Sequence, residues 1–324
     1  MKRAWLSKAF TFVVSMVVLS FLTFYVARLA PGDPLQAFYG DRVEQMSSEE
    51  HEAAVRRLGL DAPIYVQYQR WIVNLAQGEC GISYKYKEPA NQVIGAFMGN
   101  TLLLGSIAYA LVFTLALLLA LFCAYYEGSW MDFLFCKLGT VAYYLPPFWL
   151  GLILILVFNV NLHWLPGSGA YDPGMSSDIA NRLEHMVLPL TVMIVSHVWY
   201  YAYMIRNKLL DEVRQEYVLL AKAKGLGRWE ILVRHCLRNV APTIVSIMAV
   251  SVNHILGGTY VVEVVFAYPG LGNLSIESAK YHDYNLLMLI VLLTGAFVIL
   301  SGIAAQAVNE VIDPRMKVER GVKE

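Results

Sequence analysis

Six stretches of the sequence are apolar for about the 20 residues that a helix needs to cross the hydrocarbon core of a bilayer. The chain is 57% hydrophobic and 15% charged, with a mean hydropathy of +0.50. Soluble domains carry about 25% charged residues. The sequence therefore predicts an all-α membrane protein with six transmembrane helices. They are expected over residues 9–30, 101–125, 137–162, 185–205, 240–267 and 286–308.

The distribution of lysine and arginine predicts the orientation of these spans. Short cytoplasmic loops carry an excess of the two residues, whereas long loops count little. The first eight residues and segment 206–238 are basic, and the latter holds eight Lys/Arg against four Asp/Glu. We expect both in the cytoplasm together with both termini, although segment 126–136 has no basic residue. Residues 35–98 then form an extracytoplasmic loop of roughly 60–70 residues after the first span.

The first apolar run is expected to stay in the mature protein. A signal peptide has a shorter apolar core that ends in a small-residue cleavage site. Here the run ends in a turn-forming sequence, Pro31-Gly32-Asp33-Pro34. We therefore interpret residues 9–30 as an uncleaved first span.

Two of the predicted spans contain residues that weaken helices. Pro146 and Pro147 lie together in span 137–162, where two missing N–H groups predict a kink. Gly257 and Gly258 are expected to interrupt the middle of span 240–267. A kink at membrane depth is tolerated only where protein or a water-filled cavity covers the freed carbonyls. Packing geometry alone is the other explanation for the proline pair.

The polar segment between the fourth and fifth spans has internal structure. Val218, Leu219 and Ala223 recur at helical spacing and predict a short amphipathic helix. Glycine tolerates backbone angles that end a helix, so Gly225-Leu226-Gly227 should terminate it. A second helix is expected from Trp229, with its apolar face made of Ile231, Leu232, His235 and Cys236. A loop that served only to orient the protein would need charge but no such pattern.

The segment resembles the cytoplasmic coupling loop of ABC-importer permeases of the oligopeptide/dipeptide/nickel branch. The matching residues are Glu216-Tyr217-Val218-x-x-Ala221-x-Ala223-Lys224-Gly225-Leu226 and Arg234-His235-x-Leu237-Arg238-Asn239. The general form of that loop is Glu-Ala-Ala-x-x-x-Gly, of which only the second alanine, Ala221, and Gly225 are kept. Further resemblance lies in Gly257 to Gly272 and in the tail Asn309-x-x-Ile312-Asp313-Pro314-Arg315.

The resemblance implies a membrane subunit without chemistry of its own and without a cofactor. It implies a second permease subunit as partner in a heterodimer, two ATP-binding subunits, an extracytoplasmic solute-binding protein and surrounding membrane lipid. It also implies the plasma (inner) membrane of a bacterium. Contact with the ATPase would come from Glu216, Tyr217, Ala221, Ala223, Lys224, Gly225 and Leu226. The chain would divide into residues 1–98 (first span and outer loop), 99–308 (permease core with coupling loop 206–239) and 309–324 (tail).

A few polar side chains inside the predicted spans are candidates for a translocation path. They are His197, Tyr200, Asn253, His254 and Glu263. Polar residues within membrane helices usually face protein or water. Single hydrogen-bonded contacts between helices are the more common role of such histidines, and pairing near the interface is the more common role of such a glutamate.

Other classes of membrane protein would leave different patterns in the sequence. An ion-coupled secondary transporter would show inverted repeats and charges at the membrane midplane, and an intramembrane enzyme would show clustered catalytic residues; neither pattern is present. The net charge is zero, which gives no reason to expect nucleic-acid binding. The four cysteines have no metal-ligand spacing. Cargo is undecided between dipeptides, oligopeptides, nickel and metal chelates, and the partner permease could be a second copy of this chain.

Overall fold

The computed structural model describes residues 2–29 and 33–312, and these residues form helices joined by turns. Five of the described helices are long and apolar enough to cross a membrane, or up to six if one bent helix pair is a single span. The prediction of an all-α membrane protein is confirmed. The helices are α1 (Lys2–Leu29), α2 (Pro34–Tyr39), α3 (Ser48–Arg57), α4 (Ile64–Ala76), α5 (Ala90–Tyr125), α6 (Trp130–Tyr143), α7 (Pro147–Leu154), α8 (Ile179–Val213), α9 (Glu216–Ala223), α10 (Arg228–Glu230), α11 (Leu237–Val265), α12 (Leu271–Lys280) and α13 (Tyr284–Ile312).

The predicted third span is two helices rather than one kinked helix. Helix α6 ends at Tyr143, and α7 begins at Pro147 and continues as a π-helix over Ile155–Asn161. The two pieces meet at 94°. Pro146 and Pro147 have no N–H groups to offer the carbonyls one turn earlier, so the hydrogen-bond ladder stops there. The expected kink is thus a full break.

The predicted fifth span is longer and more regular than expected. A continuous helical stretch from Arg228 to Val265 joins α10, a π-helical turn and α11. The expected interruption at Gly257 and Gly258 is wrong, because α11 passes through both glycines without a break. A glycine in a helix costs only about 0.5–1 kcal/mol relative to alanine, which neighbouring packing offsets.

Residues Met1–Gly99 and Pro269–Leu300 form one compact unit. The Ser47 side chain and the Glu50 side chain cap the start of α3 reciprocally, as the Ser47-x-x-Glu50 pattern indicates. Helix α4 packs against α1 through Tyr68, whose hydroxyl lies 2.8 Å from Ser20 Oγ. Helices α4 and α12 were not predicted from the sequence.

A polar clamp holds residues 83–86 against the α12–α13 turn within this unit. Ser83 Oγ donates to the buried Asp283 carboxylate at 2.5 Å, and Lys85 Nζ lies 2.6 Å from Glu277. Tyr86 donates to the same Glu277 oxygen at 3.0 Å. Burial would raise the pKa of the Glu277 carboxyl, but the hydrogen bonds from Lys85 and Tyr86 and the lysine charge lower it below its ordinary value. The Glu277 carboxylate therefore stays ionised at neutral pH and keeps its bonds to Lys85 and Tyr86.

Residues Asn100–Tyr268 and the described residues from Ser301 to Ile312 belong to the second unit. Its core is built from α5, α8 and α11, with α6 and α7 packed on α8. Small residues on α5 let the helices approach closely. Fully buried residues of this core include Ala108, Ala116, Met193, Ile205, Leu209, Leu232 and Phe266. The predicted division at residues 98 and 99 stays a prediction, and most of the predicted 309–324 tail lies outside the described residues.

Thiol labelling tests the predicted orientation. Cys80 is partly exposed and Lys224 is exposed, whereas Cys236 is buried and would resist labelling on either side. In intact spheroplasts, we expect a membrane-impermeant maleimide to modify Cys80. A Lys224→Cys, Cys80→Ser variant should react only after the membrane is opened with detergent. The reverse pattern would mean that the 216–227 loop lies outside.

Candidate functional site

Helix α9 and the turn after it form a short, tightly capped element. Gly225 has φ +81°, a left-handed conformation that glycine adopts without cost. Its N–H donates to the Lys222 carbonyl at 2.9 Å, and the Leu226 N–H donates to the Ala221 carbonyl at 3.2 Å. This pair of bonds is a Schellman motif. The predicted helix and its glycine break are both present.

The two sides of α9 have different environments. Val218 is fully buried and Ala221 is 6% exposed, so both anchor the helix on the protein's own core. Leu219 and Leu220 are 64% and 59% exposed. Val218 and Leu219 therefore lie on different sides of the helix, because neighbouring residues are about 100° apart around its axis. Glu216, Ala223 and Lys224 are exposed with the leucines.

Tyr217 ties α9 to two long helices. Its hydroxyl donates to the Glu212 carboxylate of α8 at 2.8 Å and lies 3.7 Å from Cys236 Sγ. The Asn239 amide of α11 donates to the same Glu212 oxygen at 3.0 Å. Burial, followed by the bond to Glu212, raises the pKa of the Tyr217 hydroxyl, so it remains a donor at neutral pH. These bonds connect α9 to the ends of α8 and α11.

The turn between α5 and α6 contributes a second set of contacts to the same end of the bundle. Glu127 lies 3.0 Å from Arg214 and 3.9 Å from Arg228. Both arginines are at least half exposed, so each pair contributes little to stability. Arg228 also donates to the Ala124 carbonyl at 3.3 Å. These bonds hold the residues after Gly225 close to the end of α5.

A less exposed ion pair joins α6 to α8. The Arg206 guanidinium makes two bonds to the Asp132 carboxylate, at 2.9 Å and 2.6 Å, and the two side chains are 15% and 8% exposed. The Gly128 N–H also donates to Asp132 at 3.2 Å. Removing one partner of such a pair leaves an uncompensated charge and costs about 3–5 kcal/mol. Asp132 thus fixes the start of α6.

Three of the five predicted path residues lie together between α8 and α11. The His197 and His254 rings are 5.0 Å apart, and the Tyr200 ring is 5.9 Å from the His254 ring. His197 is 5% exposed, and its Nδ1 lies 2.8 Å from the Met193 carbonyl. His254 is exposed, and its Nδ1 lies within hydrogen-bond distance, 3.0 Å, of the Tyr201 hydroxyl.

The other two path residues lie apart from this cluster. Asn253 accepts a bond from Ser301 Oγ at 2.7 Å, on a different side of α11 from its neighbour His254. Glu263 is fully buried and accepts a bond from Thr101 at 2.6 Å. Glu263 thus has a hydrogen-bonded environment, which is the more common role of a glutamate at such a position. Among the described residues, no group of three or more His, Cys, Asp and Glu side chains is placed to hold a metal ion.

Models of known families match both halves of the chain. The family described as "Binding-protein-dependent transport system inner membrane component" matches residues 116–318, and the N-terminal family of such membrane components matches residues 1–118. The chain belongs to this family. It is a multi-pass inner-membrane permease of the ABC-importer type, so the predicted family and the predicted lack of enzymatic activity are confirmed.

Curated relatives of this permease match it over almost its whole length. It is 31% identical to the oligopeptide transport system permease protein AppB of Bacillus subtilis, with 92% of this chain and 94% of the relative covered. It is equally identical, over the same shares, to the di/tripeptide transport system permease protein DppB of Pseudomonas aeruginosa. A putative peptide permease protein of Brucella suis is 32% identical, with 94% and 95% covered.

A solved structure has a similar fold. A chain of the MetNI methionine ABC transporter, in an inward-facing conformation, aligns with a TM-score of 0.57 and 15% identity. The alignment covers 70% of the permease and 99% of that chain. At this identity the likeness shows the fold alone.

Sequence reasoning missed some features of the site. The Asp132–Arg206 pair could have been suspected, because Asp132 is an acidic residue close to an apolar stretch and membrane charges are usually paired. The outward direction of Leu219 and Leu220 could not have been found, since it depends on which face of α9 meets the core.

The lack of a side chain at Gly258 is predicted to leave the space that the His197 ring occupies. A Cβ at Gly258 would lie 2.7 Å from His197 Cε1, whereas a Cβ at Gly257 would meet no atom within 4 Å. We expect Gly258→Ala to lower the stability of the purified permease by about 1–3 kcal/mol through overpacking. Thermal denaturation of the purified variant in detergent measures this loss of stability.

Gly257→Ala is the matched control and should leave the melting temperature unchanged or slightly higher. In a His197→Ala background, Gly258→Ala should cost much less stability than in the parent, because the atoms that the new methyl group meets are gone. Equal melting curves for the two alanine variants would refute this packing role.

Proposed function

We propose that this chain is one of two membrane subunits of an ATP-driven importer of di- and oligopeptides, and that it forms half of the translocation pathway. The cargo is supported by relatives named as oligopeptide and di/tripeptide permeases, which match over more than nine-tenths of their length. The family relationship does not favour the alternative of an ion-coupled secondary transporter.

The geometry of α9 is the observation that carries the proposed coupling to an ATPase. A two-turn helix has one face fixed by Val218 and Ala221 and presents Leu219 and Leu220 to solvent. Adjacent exposed leucines on a rigid, capped helix are suited to an apolar groove on another protein. Tyr217 transmits the displacement through Glu212 to α8 and α11. Ala223 and Lys224 would lie at the edge of the contact.

Assembly with other subunits completes the proposal. A second permease chain, two ATP-binding subunits and an extracytoplasmic solute-binding protein would surround this subunit, and both termini would lie in the cytoplasm. The 35–98 and 167–184 loops would receive the binding protein. The polar clamp between residues 83–86 and α12 gives part of that surface a fixed shape.

Reconstitution with and without partners tests this function. Proteoliposomes that hold the complete set of subunits should accumulate radiolabelled trialanine when ATP and the binding protein are supplied. The same chain alone should accumulate none, with ATP or with a proton gradient. Uptake of nickel–chelate but not peptide by the full set would reassign the cargo, and gradient-driven uptake by the chain alone would refute the permease role.

Gly225→Val should uncouple ATP hydrolysis from transport. The left-handed backbone at φ +81° strains a β-branched residue by roughly 1–2 kcal/mol or more, although no neighbouring atom would obstruct the side chain. Relief of that strain would shift the turn that follows α9. ATPase activity and trialanine uptake in the reconstituted complex measure the effect.

Gly227→Val supplies the control for that variant. Gly227 has φ −68°, which any residue adopts, and a Cβ there also meets no atom within 4 Å. It should transport like the parent. A Gly225→Val complex that assembles and transports equally well would show that the glycine conformation is not needed for coupling.

Leu219→Ser/Leu220→Ser should weaken attachment of the ATP-binding subunits. The exposed leucines make no contribution to the protein's own core, so the variant should fold normally while losing apolar area at the proposed contact. The amount of ATP-binding subunit that co-purifies with the tagged permease measures this attachment. Leu162→Ser, an exposed leucine outside the proposed contact, is the control; equal ATPase recovery from both variants would contradict the proposed contact.

A further inference from the structure

An aromatic cavity of about 350 Å³ lies between α5, α6 and α8. Tyr143, Tyr144, Tyr200 and Tyr203 line it, and Trp199 closes one wall by packing on Gly139. The Tyr143 and Tyr200 rings stack at 5.8 Å with an interplanar angle of 17°. Small-ligand pockets have volumes of about 300–1,000 Å³ and are largely aromatic and apolar, with a few polar groups.

The four tyrosine hydroxyls have no hydrogen-bond partner among the described residues. The side chains are 39–76% exposed. A hydroxyl group without a partner in hydrocarbon costs several kcal/mol, so such groups in membrane segments face water, protein or solute. The exposed His254 ring beside Tyr200 extends the polar surface from α8 to α11.

The break after α6 gives a second, independent indication of a water-filled region. Helix α6 has 14 residues and is about 21 Å long at 1.5 Å per residue, which is less than the hydrocarbon thickness of about 30 Å. The charged residue Asp132 lies in the first turn of α6 and is expected at the membrane surface. The other end of so short a helix, where the break lies, then falls within the bilayer. Pro147 has no N–H for the Tyr143 carbonyl, and a freed carbonyl at that depth must face protein or water.

The charges around the cavity restrict what it would accept. Arg206 is the charged residue among its described lining, and its guanidinium makes two bonds to the Asp132 carboxylate. No uncompensated charge therefore selects a metal ion or an anion. Tyrosine hydroxyls both donate and accept hydrogen bonds, and aromatic rings contact apolar groups of varied shape.

We infer that this tyrosine cavity is a binding site for the main chain of a peptide on its way through the membrane. The inference rests on the proposed peptide transport. Peptide N–H and C=O groups would meet the Tyr143 and Tyr200 hydroxyls and the freed Tyr143 carbonyl. Substrate side chains would lie against the rings, which explains how one site takes peptides of different sequence.

Cys136 makes the inference testable, because it lines the cavity and is partly exposed. In the assembled complex without nucleotide, trialanine should slow the modification of Cys136 by a small maleimide, as quantified by mass spectrometry. Tyr143→Phe/Tyr200→Phe removes two hydroxyls without breaking a bond within the described chain. In this variant, the trialanine concentration that halves the rate of Cys136 modification should be roughly tenfold higher than in the parent.

Tyr25→Phe is the control, since Tyr25 is a half-exposed tyrosine of α1, outside the cavity lining. Trialanine should protect Cys136 in this variant as it does in the parent, and the two proteins should have equal ATPase activity. No protection of Cys136 in a parent complex that imports trialanine, or equal protection in the double variant, would overturn the inference while leaving the proposed function intact. A parent complex that imports no peptide would remove the proposed function and this inference together.

Discussion

A bilayer offers no hydrogen-bond partner to the peptide group, and this constraint decides most of the structure. Long helices satisfy their backbone internally, so α1, α5, α8, α11 and α13 need little beyond apolar length. The exception is the break between α6 and α7, where two prolines end the ladder. The cavity of tyrosines lies beside that break, where a regular helix cannot continue.

Hydropathy predicts the spans because the cost of burying a polar backbone or side chain in hydrocarbon dominates all smaller terms. The same cost explains the two places where the predicted spans differ from the structure. Gly257 and Gly258 have weak helix propensity, but a membrane helix that opened there would expose its backbone. Pro146 and Pro147 remove two donors outright, and the outcome is a 94° bend rather than a bowed helix.

The candidate site was less predictable than the fold. The residue pattern around Gly225 was enough to locate a helix and its Schellman end, because those features are local. Which face of α9 is buried depends on distant residues such as Ile231 and Leu232, which pack in the same core. Likewise, adjacent residues Asn253 and His254 make contacts with different helices, a separation that linear sequence does not display.

The exposed pair Leu219 and Leu220 also has a consequence for how the cell manages this subunit. Under the proposed contact, a permease made in excess of its ATPases would leave this apolar pair uncovered, and exposed apolar surface favours aggregation and degradation. We therefore expect the amounts of the subunits to be matched during synthesis, with surplus permease degraded. The half-life of this chain in cells that lack the ATPases would show whether partner supply controls its abundance.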